Sequence, residues 1–460
     1  MKWAVIITLM LFTSVAAAQS TVETDQTEAE QERDWLVMVY MTADNDLESF
    51  AIDDINEMEV GLNNAIDEEA DKRIEAERLG GTTVTPEMEE QIRQQTADEV
   101  SSRATVVVQV DRWDGAQSPQ YDDDSNGDWT GTRRYVITPD MTEETKDPRK
   151  IDSTAVQDLG EVNMGDPQSA TDFITWATNE YSANNTAVIY WNHGSGWKWE
   201  GGEVTESDGR TKSVGYDYGD DYDALTPMEL DKVHSSSPKQ DIMGFDACLM
   251  QMAEHAHQYQ DDADILIGSE EVEPGAGWTY DPIVAAAFKG ASPEELAKTV
   301  VKSYSGPTLS AVKTEKISEI TNNLDALLGE LSSAENKDKT LEAYEDALRF
   351  RDDEYGDLYA FADNIEKANL GEDITSKAGD LKRSIDGAVI AKNYGRGYDE
   401  AGGMSIWMPL ERDETNFTNY AELGLSGSTQ WDEHVEEEID TKEKTSGEAV
   451  GYDQWWQNLF

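Results

Sequence analysis

Strand-length apolar runs separated by amphipathic stretches constrain this chain more than any other feature. Residues 35–41 (WLVMVYM) are apolar throughout and end in polar residues, the pattern of a strand buried on both faces. Comparable runs return at 105–111, 187–194, 241–245 and 263–268. Residues 47–58 and 168–181 have helical apolar spacing, Asp44-Asn45-Asp46 fits as a cap for the first of these helices, and 132–138 reads as a hairpin arm. The alternation predicts an α/β fold with a mostly parallel central sheet. A charged stretch at 64–102 reads as helical, either an outer hairpin or a partner surface. Beyond about residue 305 come helical stretches at 317–331, 341–351 and 358–367, then apolar runs at 387–391 and 404–408 that return as strands. The expected organisation is a main domain at 34–305 and a smaller, mainly helical C-terminal subdomain at 306–460.

The first residues carry an export signal. Lys2 precedes an apolar run at 3–15, and Ala16-Ala17-Ala18 supplies the small residues of a cleavage site, so residues 1–18 are expected to be removed after Ala18. The run is too short to span a bilayer of roughly 30 Å. Residues 19–33 form a polar linker, and the mature chain is expected in the periplasm or outside the cell, without a membrane anchor.

Ninety-six acidic against 36 basic residues give a formal charge of −60. That excludes nucleic acid and anionic membrane as partners. At about 1 M salt the Debye length falls to roughly 3 Å, which screens the self-repulsion, so the balance reads as adaptation to a salty habitat.

Cys248 is the only cysteine, so it has no disulfide partner within the chain. Its two readings are a reactive thiol and a small buried hydrophobe. His193 and Gly194 end one expected strand and Cys248 follows the next long one, 55 residues later. In a parallel sheet, catalytic groups gather at the carboxyl ends of strands. An imidazole and a thiol brought together there suit nucleophilic catalysis, with the imidazole taking the thiol proton and returning it to a leaving amine. The residues after Cys248 read as helical, which would set the thiol at a helix N-terminus. His255 lies two turns further along that helix, about 10.5 Å away, and His257 faces another side. His234 reads as part of a polar loop, and His434 lies near the C-terminus.

The segments WLVMVYMTADND (35–46), VVQVDR (107–112), AVIYWNHGSGW (187–197), GFDACLM (244–250) and EEVEPGAGWTY (270–280) together resemble the clostripain family of cysteine peptidases, in the caspase-like clan with gingipains and legumains. The likeness continues more weakly through 404–409 and 426–433. It implies a caspase-like α/β/α sandwich, endopeptidase activity, a Cys248 nucleophile with His193 as general acid and base, and an oxyanion hole from the backbone amides of Gly194 and Cys248. It also implies cleavage after Arg or Lys, with acidic residues in the first specificity pocket. Asp246 matches the acid two before the cysteine, although a helix cap is its rival reading. Glu270, Glu271 and Glu273 are candidates for a second pocket acid, with Glu271 and Glu273 taken as substrate-binding.

Self-cleavage between the histidine and cysteine strands is a further implication. Residues 200–223 contain two basic residues, Arg210 and Lys212, and either serves as the cut site. The product would be a monomer, or two cleaved chains held together. Calcium is the one expected cofactor, since some of the family need it. Asp122, Asp124, Asn126 and Asp128 match the first half of a calcium loop, but Arg133 stands where the twelfth-position glutamate belongs. Asp217, Asp220, Asp221 and Asp223 are a second candidate. Polypeptides with basic residues are the expected substrates. A non-catalytic binding module on the same fold, or a transpeptidase using the same dyad, are the alternatives.

Overall fold

Side chains of β1 (Arg33–Ala43) alternate between two apolar cores: Leu36, Met38 and Tyr40 enter one, while Trp35, Val37, Val39 and Met41 enter the other. This alternation, in a run with no polar face, requires a helical layer on each side of the strand. The computed structural model describes residues 32–113, 123, 125–127, 129–139, 150–199, 213–333, 336–351 and 353–446. The leader, most of the linker, Arg210, Lys212, Asp122, Asp124 and Asp128 lie outside the described residues.

β2 (Ala104–Arg112) pairs in parallel with β1, and β3 (Gly131–Val136) and β4 (Ala155–Gly160) extend that side antiparallel. On the other side of β1 lies β5 (Ala183–Trp191), also parallel. A small hairpin of β6 (Val214–Asp217) and β7 (Asp223–Leu225) leaves the sheet, and the chain returns as β8 (Gln240–Asp246) beside β5 and β9 (Ala263–Gly268) beside β8. β10 (Thr308–Lys313) runs antiparallel to β9. Then β11 (Tyr355–Asp357) forms a separate pair with β13 (Ser405–Trp407), and β12 (Val389–Tyr394) closes the sheet against β10. The nine-stranded order is β12-β10-β9-β8-β5-β1-β2-β3-β4, a parallel centre with antiparallel margins. Strands from beyond residue 306 thus share the sheet of the preceding region, and the described residues from Arg33 onward form one compact unit.

The charged stretch folds as a helical hairpin of α1 (Glu48–Leu79) and α2 (Pro86–Ser101), whose Arg93 pairs with Asp67 and Asp71 at 2.8 and 2.6 Å. No side chain caps α1, contrary to the cap expected from Asp44 to Asp46. Asn45 does accept from Leu47 N at 2.9 Å, but Asp46 is held by His193. α3 (Pro167–Glu180) is capped by Asp166, and α4 (Pro227–Ser235) by a Thr226/Glu229 capping box. They are followed by α5 (Ala253–Gln258), α6 (Tyr280–Phe288) and α7 (Pro293–Ser303). The last third adds α8 (Ile317–Ser332), α9 (Lys337–Glu345), α10 (Leu358–Ala368), α11 (Glu372–Ala388), α12 (Glu414–Tyr420) and α13 (Trp431–Ser446). α1, α6 and α7 cover one face of the sheet, and α3, α4, α5, α8, α10 and α11 cover the other.

From β1 the chain moves to β2 on one side and later to β5 on the other. Such a reversal opens a crevice outside the carboxyl ends of the strands. Asp46, His193 and Cys248 follow β1, β5 and β8, three adjacent strands at that crevice. Among the described residues no helix is long and apolar enough to cross a membrane.

Candidate active site

The turn after β5 is pinned by backbone and amide contacts. Asn192 donates its backbone N–H to Asp246 O at 3.2 Å and its side-chain amide to Thr42 O, and accepts from Tyr216 N at 2.8 Å. This fixes His193 beside the residues that follow β8. Gly194 packs so closely there that a Cβ would stand 2.3 Å from Cys248 O and 3.1 Å from Cys248 N. Only glycine fits without displacing the cysteine backbone.

The chain after β8 departs from expectation. Asp246 ends the strand, Leu249 adopts φ +65°, and helix starts only at Ala253. Cys248 therefore does not sit at a helix N-terminus. The segment after β9 takes the backbone donors that a helix would have used: Leu249 N donates to Glu271 O at 3.2 Å and Gln251 N to Ser269 O at 2.9 Å.

Cys248 Sγ accepts from Glu273 N at 3.3 Å. Burial pushes the thiol pKa up. The amides of Glu273, Gly194 and Cys248 itself oppose this, and the charge of Asp246 adds a smaller upward push. The thiol rests protonated, with the amides of Gly194 and Cys248 beside the sulfur.

His193 Nε2 lies 2.8 Å from Asp46 Oδ1, which also accepts from Tyr218 OH at 3.1 Å. Partial burial raises the Asp46 pKa, but His193 and Tyr218 outweigh it and hold the carboxylate below its usual range. An ionised Asp46 accepts a hydrogen bond from Nε2–H, which leaves Nδ1 as the basic nitrogen. The pair is about one-third exposed, so its contribution to stability is on the order of 1 kcal/mol or less and its main effect is orientation. Sequence reasoning missed Asp46. The available signal was its position: a polar residue just beyond a strand buried on both faces, at the reversal of strand order.

Both catalytic candidates line a cavity of about 250 Å³, with Asp246, Ala247, Glu273 and Gly277 among the other walls. Asp246 accepts from Trp278 N at 3.1 Å and from Tyr280 OH at 2.8 Å, so it does not cap the following segment. Burial lifts its pKa to about 7, despite those two donors and Glu273, while Glu57 raises it further. Glu273 faces Asp246; burial and the charge of Asp246 push its pKa well up. Both carboxyls therefore hold a proton more tightly than a carboxyl in water does.

The structure brings together His193, Gly194, Asp246, Cys248 and Glu273. Glu271 is not a wall of this cavity; its carboxylate accepts from Val272 N at 2.7 Å, Arg351 N at 2.9 Å and Tyr398 OH at 2.8 Å, tying this loop to the segment before β11. Glu270 is buried elsewhere beside Asp357. Of the first calcium candidate only Asn126 is described, and its side chain accepts from Ile151 N at 3.2 Å. Of the second, Asp217 lies with Asp44, Asp111 and Glu161, while Asp223 accepts from Asn163 at 2.9 Å. His234, His255 and His434 are buried and their pKa values fall to about 3, 4 and 3 through desolvation, so they stay neutral.

Residues 39–438 match the model of the clostripain family. A relative, clostripain of Hathewaya histolytica, is 26% identical over 255 residues, 54% of this chain and 41% of its own; the chain spans about two fifths of that relative's length. The fold is similar to a secreted C11 cysteine protease of Bacteroides thetaiotaomicron bound to an irreversible peptide inhibitor, at TM-score 0.60 and 19% identity over 87% of this chain and 99% of that one. An inactive zymogen C11 protease from Parabacteroides distasonis is also similar, at TM-score 0.56 and 16% identity, with 87% and 99% covered. The chain belongs to the clostripain family.

Proposed function

We propose that this member of the clostripain family is an exported cysteine endopeptidase that cuts polypeptides after Arg or Lys. The observation that carries the reading is one cavity shared by His193, Cys248 and the buried acids Asp246 and Glu273. A substrate guanidinium or ammonium entering it neutralises the acid pair, which ionises fully and gives up its proton to solvent. A guanidinium can engage both carboxylates at once.

His193 Nδ1 takes the thiol proton as Sγ attacks the scissile carbonyl carbon. The oxyanion is received by the amides of Gly194 and Cys248. The imidazolium, steadied by Asp46, protonates the leaving amine, and the amine departs with the C-terminal peptide. The same imidazole then deprotonates a water that hydrolyses the thioester, and returns that proton to the thiolate.

Self-cleavage after Arg210 or Lys212 fits this specificity, and residues 1–18 are removed separately, after Ala18, before release outside the cytoplasm. The charge of −60 supports a working environment of high salt. Hydrolysis of matched fluorogenic peptides ending in Arg, Lys, Asp or Asn, with Cys248→Ala as control, tests the reading. Turnover confined to Arg and Lys and lost in the variant is the expected result. Turnover of Asp or Asn peptides would overturn the pocket assignment. No turnover by folded, processed protein would leave a binding module, and amine adducts in place of hydrolysis products would mark a transpeptidase.

A further inference from the structure

Residues 269–273 run alongside the nucleophile's turn and continue the rungs between β8 and β9. Gln251 N donates to Ser269 O at 2.9 Å, Leu249 N to Glu271 O at 3.2 Å, and Glu273 N to Cys248 Sγ at 3.3 Å. The same short segment carries Glu273, a wall of the cavity. The thiol and a pocket acid are therefore set by one piece of backbone, and whatever fixes that piece fixes both. Past Glu273 the loop is exposed from Pro274 to Ala276 and returns to the sheet where Trp278 N donates to Asp246 at 3.1 Å.

Glu271 is held at both its backbone and its side chain. Its N–H donates to Thr308 Oγ1 on β10 at 3.0 Å, and its carbonyl also accepts from Ser269 Oγ at 2.8 Å. The buried carboxylate collects donors from three segments: Oε1 accepts from Val272 N at 2.7 Å and Arg351 N at 3.1 Å, and Oε2 from Arg351 N at 2.9 Å and Tyr398 OH at 2.8 Å. The far side of this clamp is itself fixed. Phe350 N donates to Tyr355 O at 3.2 Å, and the Phe350 ring stacks on Tyr398 with centroids 6.2 Å apart and planes inclined by 12°. Burial and the Glu271 carboxylate lift the Tyr398 pKa to about 12, so the hydroxyl keeps its proton to donate. Neither Arg351 nor Tyr398 is a wall of the cavity.

We infer that Glu271 is a positioning residue of the active site: it fastens residues 271–273 to Arg351 and Tyr398, and so sets where the Glu273 amide meets Cys248 Sγ and where the Glu273 carboxyl faces Asp246. An N–H aimed at the sulfur favours the thiolate, so the clamp acts on the nucleophile as well as on the pocket. The groups that meet the carboxylate are all donors, so the site asks for acceptor geometry rather than for charge. A glutamine meets that need by turning Oε1 to Val272 and Arg351 and its amide to the Tyr398 oxygen. The effect on turnover rests on the peptidase reading; the effect on the thiol does not.

The test follows alkylation of Cys248 by iodoacetamide in the full chain as a function of pH, with turnover of Arg and Lys peptides measured in parallel. In Glu271→Ala the pH of half-maximal alkylation should rise by about half a unit or more, and kcat should fall roughly 30-fold. Glu271→Gln should return the alkylation profile to that of the parent and kcat to within about threefold of it. Tyr398→Phe, at a partly exposed position where folding is not at issue, should raise the alkylation midpoint by about 0.2–0.5 unit at an unchanged thermal midpoint. Glu271→Gln as impaired as Glu271→Ala would show that charge is what matters and overturn the inference. A parental alkylation profile in Tyr398→Phe would also overturn it, and that variant decides alone if Glu271→Ala does not fold. Alkylation needs no substrate, so failure here is distinct from failure of the peptidase reading.

Discussion

The acid pair of the cavity and the four-carboxylate cluster both bury acids at the carboxyl ends of strands, but they are built differently. Asp246 and Glu273 face an open cavity, and Asp246 is supplied with donors by Trp278 N and Tyr280 OH, so a proton can stay on the pair until a substrate cation replaces it. The cluster is closed by Gly219, where a Cβ would stand 2.3 Å from Asp44 Oδ2, and keeps an unpartnered oxygen on Asp111. In a chain with 96 acidic residues, surface acids say nothing about function. Buried acids differ in what surrounds them: an open cavity and two donors at Asp246, an unpartnered oxygen at Asp111.

The sharpest test of that contrast is Asp246→Asn. Leaving a substrate cation buried against half of its acid pair costs about 3–5 kcal/mol, so kcat/KM on Arg and Lys peptides should fall by about two to nearly four powers of ten. Equal loss on peptides with neutral side chains would show that Asp246 supports the fold rather than specificity.

Asp46→Asn comes next. With the imidazole no longer held by a carboxylate, kcat should drop about 10- to 100-fold with little change in KM. A change in KM alone would contradict the positioning role.

The pair should also impose a pH dependence. Asp246 has its pKa raised to about 7, so the ionised form needed for a cationic substrate is lost as pH falls through that value. KM for Arg and Lys peptides should rise up to about tenfold for each unit below 7, a slope that Asp246→Asn removes.

The smallest effect belongs to an acid that awaits no ligand. Glu254 is buried in the opposite core, accepts from Trp407 N and Tyr420 OH at 2.8 Å each, and has its pKa raised to about 7. A raised folded pKa favours the native state at low pH, so this contribution declines as pH rises from about 4.5 through 7. Glu254→Gln should flatten the fall in unfolding free energy across that window, by roughly 1–3 kcal/mol at its upper end, and leave catalysis as it was.

The parallel centre was legible because each of its strands is an uninterrupted apolar run, and the placement of His193 and Cys248 followed from two such runs ending side by side. β10 was harder to read: TLSAVK mixes polar and apolar residues because Ser310 and Thr308 bond to Gly403 O and to the amides after β9. Asp44 and Asp46 have the residue types of helix caps, and only their distant partners His193, Tyr218 and Asp217 reveal another use. The turn at Leu249 was hidden because residues 249–253 are apolar enough for a helix, yet hydrogen bonds to the segment after β9 claim them first. The four carboxylates span residues 44 to 217, a separation that no local pattern encodes.

The position of β1 at the sheet centre sets a schedule for folding. Arg33 pairs with Ala183 and Trp35 with Ala104, so the first described strand waits for one neighbour about 70 residues later and another 150 residues later. At about 5–20 residues per second, synthesis delivers β5 roughly 8–30 s after β1. During that interval an 11-residue apolar strand has an unpaired edge, a state prone to aggregation. Productive folding of this chain therefore depends on keeping the second edge of its first strand open until that neighbour arrives.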